Sequence, residues 1–200
     1  MEFMVQVALF GTSADPPTTG HQAIVEWLAA RFDTVAVWAA DNPFKSGQTP
    51  LVHRQAMLAL LLEGVGQTYS NVRLCPHLSH ARSLHSVHLA QKDWPEAQLV
   101  LVVGTDVLNS LPSWYRIDEL LKLVQLQIVP RPGFPVDSED LNALQALGAQ
   151  VSIAADFIGP DVSSTTYRQT KAEAVMIPAI ATYIRQHGLY EAADNGSNRS

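Results

Sequence analysis

The chain has 200 residues, 47% of them apolar, which suits one ordinary domain with a sizeable core and excludes a disordered or fibrous chain. Thirteen lysines and arginines stand against nineteen acids, for a formal charge of −6. A chain so charged lacks the basic footprint of non-specific nucleic-acid binding, and any anionic ligand must be met by a local group of cations and amides.

Short β-rich runs alternate with helix-period segments along most of the chain. That pattern predicts an α/β fold: a Rossmann-like parallel sheet with helices on both faces and a helical C-terminal end. Residues 5–10 read as the first strand, followed by a polar loop, 11–20, and a helix with Ile24, Trp27, Leu28 and Arg31 at helical spacing. A strand at 34–38 leads into a loop, 41–50, and then into a helix whose apolar face carries Ala56, Met57, Leu60 and Leu61. A strand near 71–75, a histidine-rich helix over 81–91 and the buried strand 99–103 follow.

Beyond it the spacing predicts a helix over 117–123, a strand over 124–129 stopped by Pro130-Arg131-Pro132-Gly133, a helix over 141–147 ended by Gly148, and a short strand over 151–154. Two helices close the fold. Ser163 or Ser164 caps the first, and the second has Pro178 in its first turn and Gly188 past its end. A single domain is expected over 4–190, with 191–200 as a small, polar, disordered tail. The single cysteine, Cys75, has no partner for an internal disulfide, residues 1–4 do not read as a secretory segment, and no apolar run reaches membrane-spanning length. The expectation is a cytoplasmic protein with neither a membrane nor a nucleic acid as partner.

In an open parallel sheet, ligands bind outside the carboxyl ends of the strands. The first strand delivers Gly11-Thr12-Ser13-Ala14-Asp15-Pro16-Pro17-Thr18-Thr19-Gly20-His21 into a helix, which puts hydroxyls, glycine amides and an imidazole at a positive helix end where a phosphate would sit. Neither the dinucleotide fingerprint nor a Walker loop is present. Alone, the loop reads equally as a polar connection with His21 as a cap. Two further segments change the balance. Gly104-Thr105-Asp106 follows the central strand, with a glycine for close backbone approach and a carboxylate that can accept from ribose hydroxyls. Asp161-Val162-Ser163-Ser164-Thr165-Thr166-Tyr167-Arg168 is a hydroxyl-rich helix start with an arginine.

Together these segments resemble the nucleotidyltransferase superfamily marked by (H/T)xGH, and more narrowly the bacterial nicotinate-nucleotide adenylyltransferases. That family's GGTFDPxHxGH is matched by residues 11–21, with Thr18 in place of the first histidine. Its GxD is Gly104-Thr105-Asp106, its LPxWxxW-like stretch is Leu111-Pro112-Ser113-Trp114-Tyr115-Arg116, and its PRPG is Pro130-Arg131-Pro132-Gly133. Its ISSTxIR is matched by residues 162–168, and its closing VPxxVxxYIxxHxLY by residues 177–190. Each piece alone is weak; the ordered set spans nearly all of 5–190.

The resemblance implies a fold of nucleotidyltransferase type and adenylyl transfer from ATP to nicotinate mononucleotide, giving nicotinate adenine dinucleotide and pyrophosphate in NAD biosynthesis. It implies catalytic roles for His21, Thr18, Lys45 and Arg168. Gly11, Thr12, Ser13, Gly20, His21, Gly104, Asp106, Ser163, Ser164 and Arg168 would bind ATP, and Trp114, Tyr115, Lys45 and His85 the pyridine mononucleotide. Mg²⁺ would arrive on the ATP phosphates, with no dedicated protein cage. His53-Arg54 resembles the family's HR but reads as well as a solvated helix start.

The chain departs from the family at 83–89, where SYTxDTL is replaced by Ser83-Leu84-His85-Ser86-Val87-His88-Leu89. Selection between nicotinate and nicotinamide mononucleotide, or another small phosphorylated acceptor, therefore stays open. So does a nucleotide-binding regulatory protein with little turnover, and a homo-oligomer is compatible with the sequence. Cys75, His77, His80, His85 and His88 are ligand types for zinc, but their spacing matches no known finger and the expectation is an ordinary surface cluster.

Overall fold

A computed structural model describes residues 4–42 and 45–191, the Glu173 side chain excepted. Residues 192–200, which include most of the expected tail, and Pro43 and Phe44 of the lysine loop lie outside the described residues. The chain runs through β1 (Gln6–Thr12), α1 (Thr19–Ala29), β2 (Thr34–Ala39), α2 (Leu51–Gly66), β3 (Val72–Leu74), α3 (Ser83–Asp93) and β4 (Gln98–Gly104). It continues through α4 (Ile117–Leu123), β5 (Gln125–Val129), α5 (Ser138–Ala146), β6 (Val151–Ile153), α6 (Ser164–Thr170) and α7 (Pro178–Gln186). Among the described residues, no helix is long and apolar enough to cross a membrane.

The six strands form one sheet in the order β3-β2-β1-β4-β5-β6, every pair parallel. Alternation along β1 sends Ala8 and Phe10 to one face and Val7 and Leu9 to the other, and all four are buried because both faces are covered. Val25 and Leu28 of α1, Met57 and Leu61 of α2, Tyr167 of α6 and Ile180 and Ile184 of α7 fill the first face. Leu84 and Val87 of α3, Leu120 and Leu121 of α4 and Leu144 of α5 fill the second.

The expected strands and long helices are all present, with ends displaced by one to three residues. Pro178 opens α7, and Gly188 follows it at φ +57°, a left-handed turn suited to glycine. One stretch differs from expectation. Residues Thr105–Ser113, read only as motif, form a run of 3₁₀ helix. Pro112 lies inside this run, where tight turns replace the regular ladder that helix periodicity would have announced.

The strand order reverses direction between β1 and β4. Their adjacent carboxyl ends diverge into separate connections, which opens a crevice at this switch point.

Candidate active site

A cleft of about 700 Å³ occupies that crevice. It brings together Gly11, Thr12, Ser13, Thr18, Gly20, His21, Lys45, Gly104, Asp106, Trp114, Ser163, Ser164 and Arg168. These residues come from loops that are far apart in the sequence, and the parallel sheet delivers them to one edge.

The floor is the turn from β1 into α1. Gly11 lies against Trp38: a Cβ there would meet the indole ring at 2.7 Å. Ala14 takes φ +46°, a strained setting for a residue with a side chain, and it is buried. Thr18 caps α1 in extended conformation. Its backbone N–H donates to His21 Nδ1 at 3.1 Å, and its hydroxyl lies 3.0 Å from the same nitrogen. With the backbone N–H aimed at it, Nδ1 must be the unprotonated nitrogen, which assigns the ring hydrogen to Nε2. Burial, reinforced by the Arg131 charge, lowers the His21 pKa from 6.5 to about 4. His21 is thus a neutral Nε2–H donor at pH 7, and Thr18, with no exposed surface, sets its ring.

Three cations line the cleft with this donor, each hydrogen-bonded within the protein. Lys45 donates to Ser13 Oγ at 3.2 Å. Arg168 donates to the Asp15 carbonyl and, at 3.1 Å, to Thr165 Oγ1. Arg131 pairs with Asp106 Oδ2 at 2.7 Å while its backbone N–H donates to Thr105 Oγ1 at 2.9 Å. Gly104 leaves room for this pair, since a Cβ there would meet Asp106 and lie 2.8 Å from Arg131 Cδ. At α6, Ser163 Oγ accepts from Thr166 N at 3.0 Å and Ser164 Oγ donates to the Pro16 carbonyl at 2.8 Å. The Ser163 bond caps α6, and the Ser164 bond docks its start onto the first loop.

On the acceptor side, Trp114 lines the cleft but His85 and Tyr115 do not. The wall there is formed by His80, Ser83 and Ser86. His85 stands beside His80, its Nδ1 3.2 Å from His80 Nε2, and Tyr115 meets the edge of His85. The other histidines of this region point to different partners: His77 lies 2.6 Å from Asp93 and His88 3.5 Å from Glu119. Cys75 is buried, and burial raises its thiol pKa, with Asp93 adding to the effect.

Three residues have more important positions than their sequence signals suggested. Arg54, read equally as part of a solvated helix start, is 2% exposed. Its guanidinium donates to the carbonyls of Thr49 at 2.9 Å, Ser13 at 2.9 Å and Ala40 at 2.8 Å, tying both ends of the β2–α2 loop to the loop after β1. Asp15, also buried, accepts from Tyr190 Oη at 2.6 Å. Arg131 was legible only as part of PRPG. Its position directly after β5, beside the central strand, was the available signal.

The model of the cytidylyltransferase-like family matches residues 9–170. The chain is 45% identical to a probable nicotinate-nucleotide adenylyltransferase of Synechocystis sp., over 93% of this chain and 99% of that protein. It is 28% identical to the nicotinate-nucleotide adenylyltransferase of Bacillus subtilis, over 94% of this chain and all of the relative. Its fold is similar to that of the Plasmodium falciparum nicotinic acid mononucleotide adenylyltransferase solved with NaAD, with a TM-score of 0.78 at 16% identity, covering 93% of this chain and 97% of the other.

Proposed function

The chain belongs to the nicotinate-nucleotide adenylyltransferase family, and from that premise we propose that it transfers the adenylyl group of ATP to nicotinate mononucleotide. The products are nicotinate adenine dinucleotide and pyrophosphate, and the step belongs to NAD biosynthesis. An oxygen of the acceptor phosphate attacks the α-phosphorus while the bond from that phosphorus to the bridging oxygen of pyrophosphate breaks. The attacking oxygen is already anionic, so no general base is required. The protein aligns two polyanions and offsets the charge that gathers between them.

The observation that carries this reading is the arrangement of one neutral, oriented Nε2–H donor and three cations around a single cleft. His21 donates to the α-phosphate, and Thr18 orients the ring. Lys45, Arg168 and Arg131 bear the phosphate charge. Ser13, Ser163 and Ser164 add hydroxyls, while Gly11, Thr12 and Gly20 line the nucleotide side of the cleft. Asp106 accepts from ribose hydroxyls once Arg131 turns to phosphate. Trp114 stacks on the pyridine ring. Lys45 reaches both substrates at their reacting phosphates, while His85 and Tyr115 support the acceptor wall from behind. Mg²⁺ enters as the ATP complex.

The test is pyrophosphate release from ATP and Mg²⁺ with nicotinate mononucleotide, with nicotinamide mononucleotide and with no acceptor. Release dependent on the nicotinate form is the expected result. Release with the amide form alone reassigns the acceptor, and release with neither, from folded protein, refutes adenylyl transfer to a pyridine mononucleotide.

A further inference from the structure

The last described turn of the chain reaches back to a residue that lines the cleft, Asp15. After α7, Gly188 reverses the backbone and Leu189 N bonds to the Ile184 carbonyl at 3.1 Å, which brings Tyr190 to the loop between β1 and α1. There its phenol donates to Asp15 Oδ1 at 2.6 Å. The other carboxylate oxygen accepts from Thr49 N at 3.3 Å, and Asp15 is 4% exposed. Its carbonyl takes the Arg168 hydrogen bond, and the next carbonyl, of Pro16, takes that of Ser164. Three residues beyond Asp15 stands Thr18, which sets His21.

An anion here calls for an explanation, because, unlike Asp106 with its Arg131 partner, Asp15 has neutral donors on its carboxylate. Left without donors, a carboxylate lining the cleft would repel a triphosphate and cost free energy by its burial. With both oxygens engaged it becomes an anchor. Tyr190 is itself held: its ring meets Tyr167 of α6 edge-on at 5.9 Å, and Lys171 donates to its carbonyl. Burial and the Asp15 bond raise the phenol pKa well above its ordinary range, so it stays a donor at any working pH.

We propose that Tyr190 is a positioning residue for the transfer reaction, acting through Asp15 to hold residues 13–18, and with them Thr18 and His21, in the arrangement that receives the α-phosphate. The C-terminal turn of the chain is then part of the active site. This rests on the adenylyl-transfer reading above.

The test is Tyr190→Phe, which keeps the ring and removes one donor. A hydrogen bond to a buried charge corresponds to about tenfold or more in a rate or binding constant. The expected result is a fall of about that size in kcat/KM for ATP, with the acceptor KM within about twofold and faster amide hydrogen exchange confined to residues 13–21. Tyr183→Phe is the control for mere loss of stability. It removes the 3.0 Å contact with His53 on α2 and leaves Asp15 untouched, so it should lower Tm without changing kcat/KM. In an Asp15→Ala background, which leaves the phenol no side-chain acceptor at position 15, Tyr190→Phe should change kcat/KM by less than about twofold, as two residues acting as a unit require. Wild-type kinetics and wild-type exchange in Tyr190→Phe, beside an active wild-type enzyme, would overturn the proposal. An equal kinetic loss in Tyr183→Phe would overturn it too. If the wild type transfers nothing, the adenylyl-transfer reading fails by itself, and the hydrogen-exchange comparison still decides whether Tyr190 holds the loop.

Discussion

Replacing Arg54 by alanine removes a buried cation whose three hydrogen bonds end on backbone carbonyls at both ends of the β2–α2 loop and in the loop after β1. Ser13 belongs to the phosphate-facing loop, Ala40 follows β2, and Thr49 precedes α2, so one side chain sets the spacing of the cleft's outer wall. Each buried acceptor left unpaired costs about 1–3 kcal/mol, while relief of guanidinium desolvation offsets part of the sum. A net loss of about 3–5 kcal/mol is the consequence, and for a chain of this length that lowers Tm by about 10 °C. The KM for ATP should rise in the same variant, because Ser13 and Lys45 lose their common support. Arg54→Lys should recover little, since one ammonium on a flexible stem cannot reproduce a planar fork reaching three carbonyls. Calorimetry and steady-state pyrophosphate release provide the measurements. A Tm within about 2 °C of wild type and an unchanged KM for ATP would show that the three bonds neither stabilise the fold nor shape the cleft.

His21→Ala should lower kcat by about 10²–10³-fold, the loss attached to one oriented donor at a developing charge, and near-normal turnover would remove His21 from the chemistry. The lowered His21 pKa also makes stability depend on pH: between 6.5 and about 4 the unfolded chain binds the proton that the native chain refuses, so stability falls as pH falls through that window. The loss is about 3 kcal/mol by pH 4 and should be absent from His21→Gln; equal Tm slopes for the two proteins between pH 7 and 4.5 would contradict it. Gly104→Ala forces a methyl against Asp106 and Arg131, so KM for ATP should rise severalfold with a destabilisation of about 1–3 kcal/mol, checked by kinetics and thermal melts. Trp114→Ala should raise the acceptor KM about 3–10-fold and leave that for ATP near its wild-type value; an unchanged acceptor KM would remove the stacking role.

The sheet was legible because its signal is physical and local. A strand buried on both faces must be apolar in succession, as 99–103 is, and helices that cover it must repeat their apolar residues every three to four positions. That the glycine and hydroxyl loops meet at one cleft was legible because they follow strands of a parallel sheet, but the need for glycine at 11 and 104 comes from Trp38 and from the Asp106–Arg131 pair, which no local pattern announces. Arg54 was not. Its partners are carbonyls, which every residue possesses, so nothing in their sequence marks them as acceptors. His80 and His85 present a related difficulty: adjacent histidines on one short segment compete for the cleft, and only the fold decides which lines it. Asp15 and Tyr190 are 175 positions apart, and a single pair at that separation leaves no periodicity to read.

The three cations share a property that bears on how the cleft handles polyanions. None is held by water alone: Lys45 rests on Ser13, Arg168 on the Asp15 carbonyl and Thr165, Arg131 on Asp106. On the adenylyl-transfer reading, an arriving triphosphate would exchange these hydrogen-bond partners instead of assembling flexible side chains from solvent, which would reduce the ordering entropy of binding. Three of the partners, Ser13 Oγ, the Asp15 carbonyl and Thr165 Oγ1, are neutral oxygens and are more readily released. Asp106 is not neutral, and pulling Arg131 from it would leave a carboxylate facing phosphate unless ribose hydroxyls replace the guanidinium. The exchange at Arg131 is thus complete only for a ligand that carries both a polyphosphate and a ribose. Inorganic triphosphate should bind less tightly than ATP by more than the lost base contacts explain, and Asp106→Asn should narrow that difference, with isothermal titration of both ligands as the measurement. Equal discrimination in the two proteins would show that the ion pair takes no part in selecting the nucleotide.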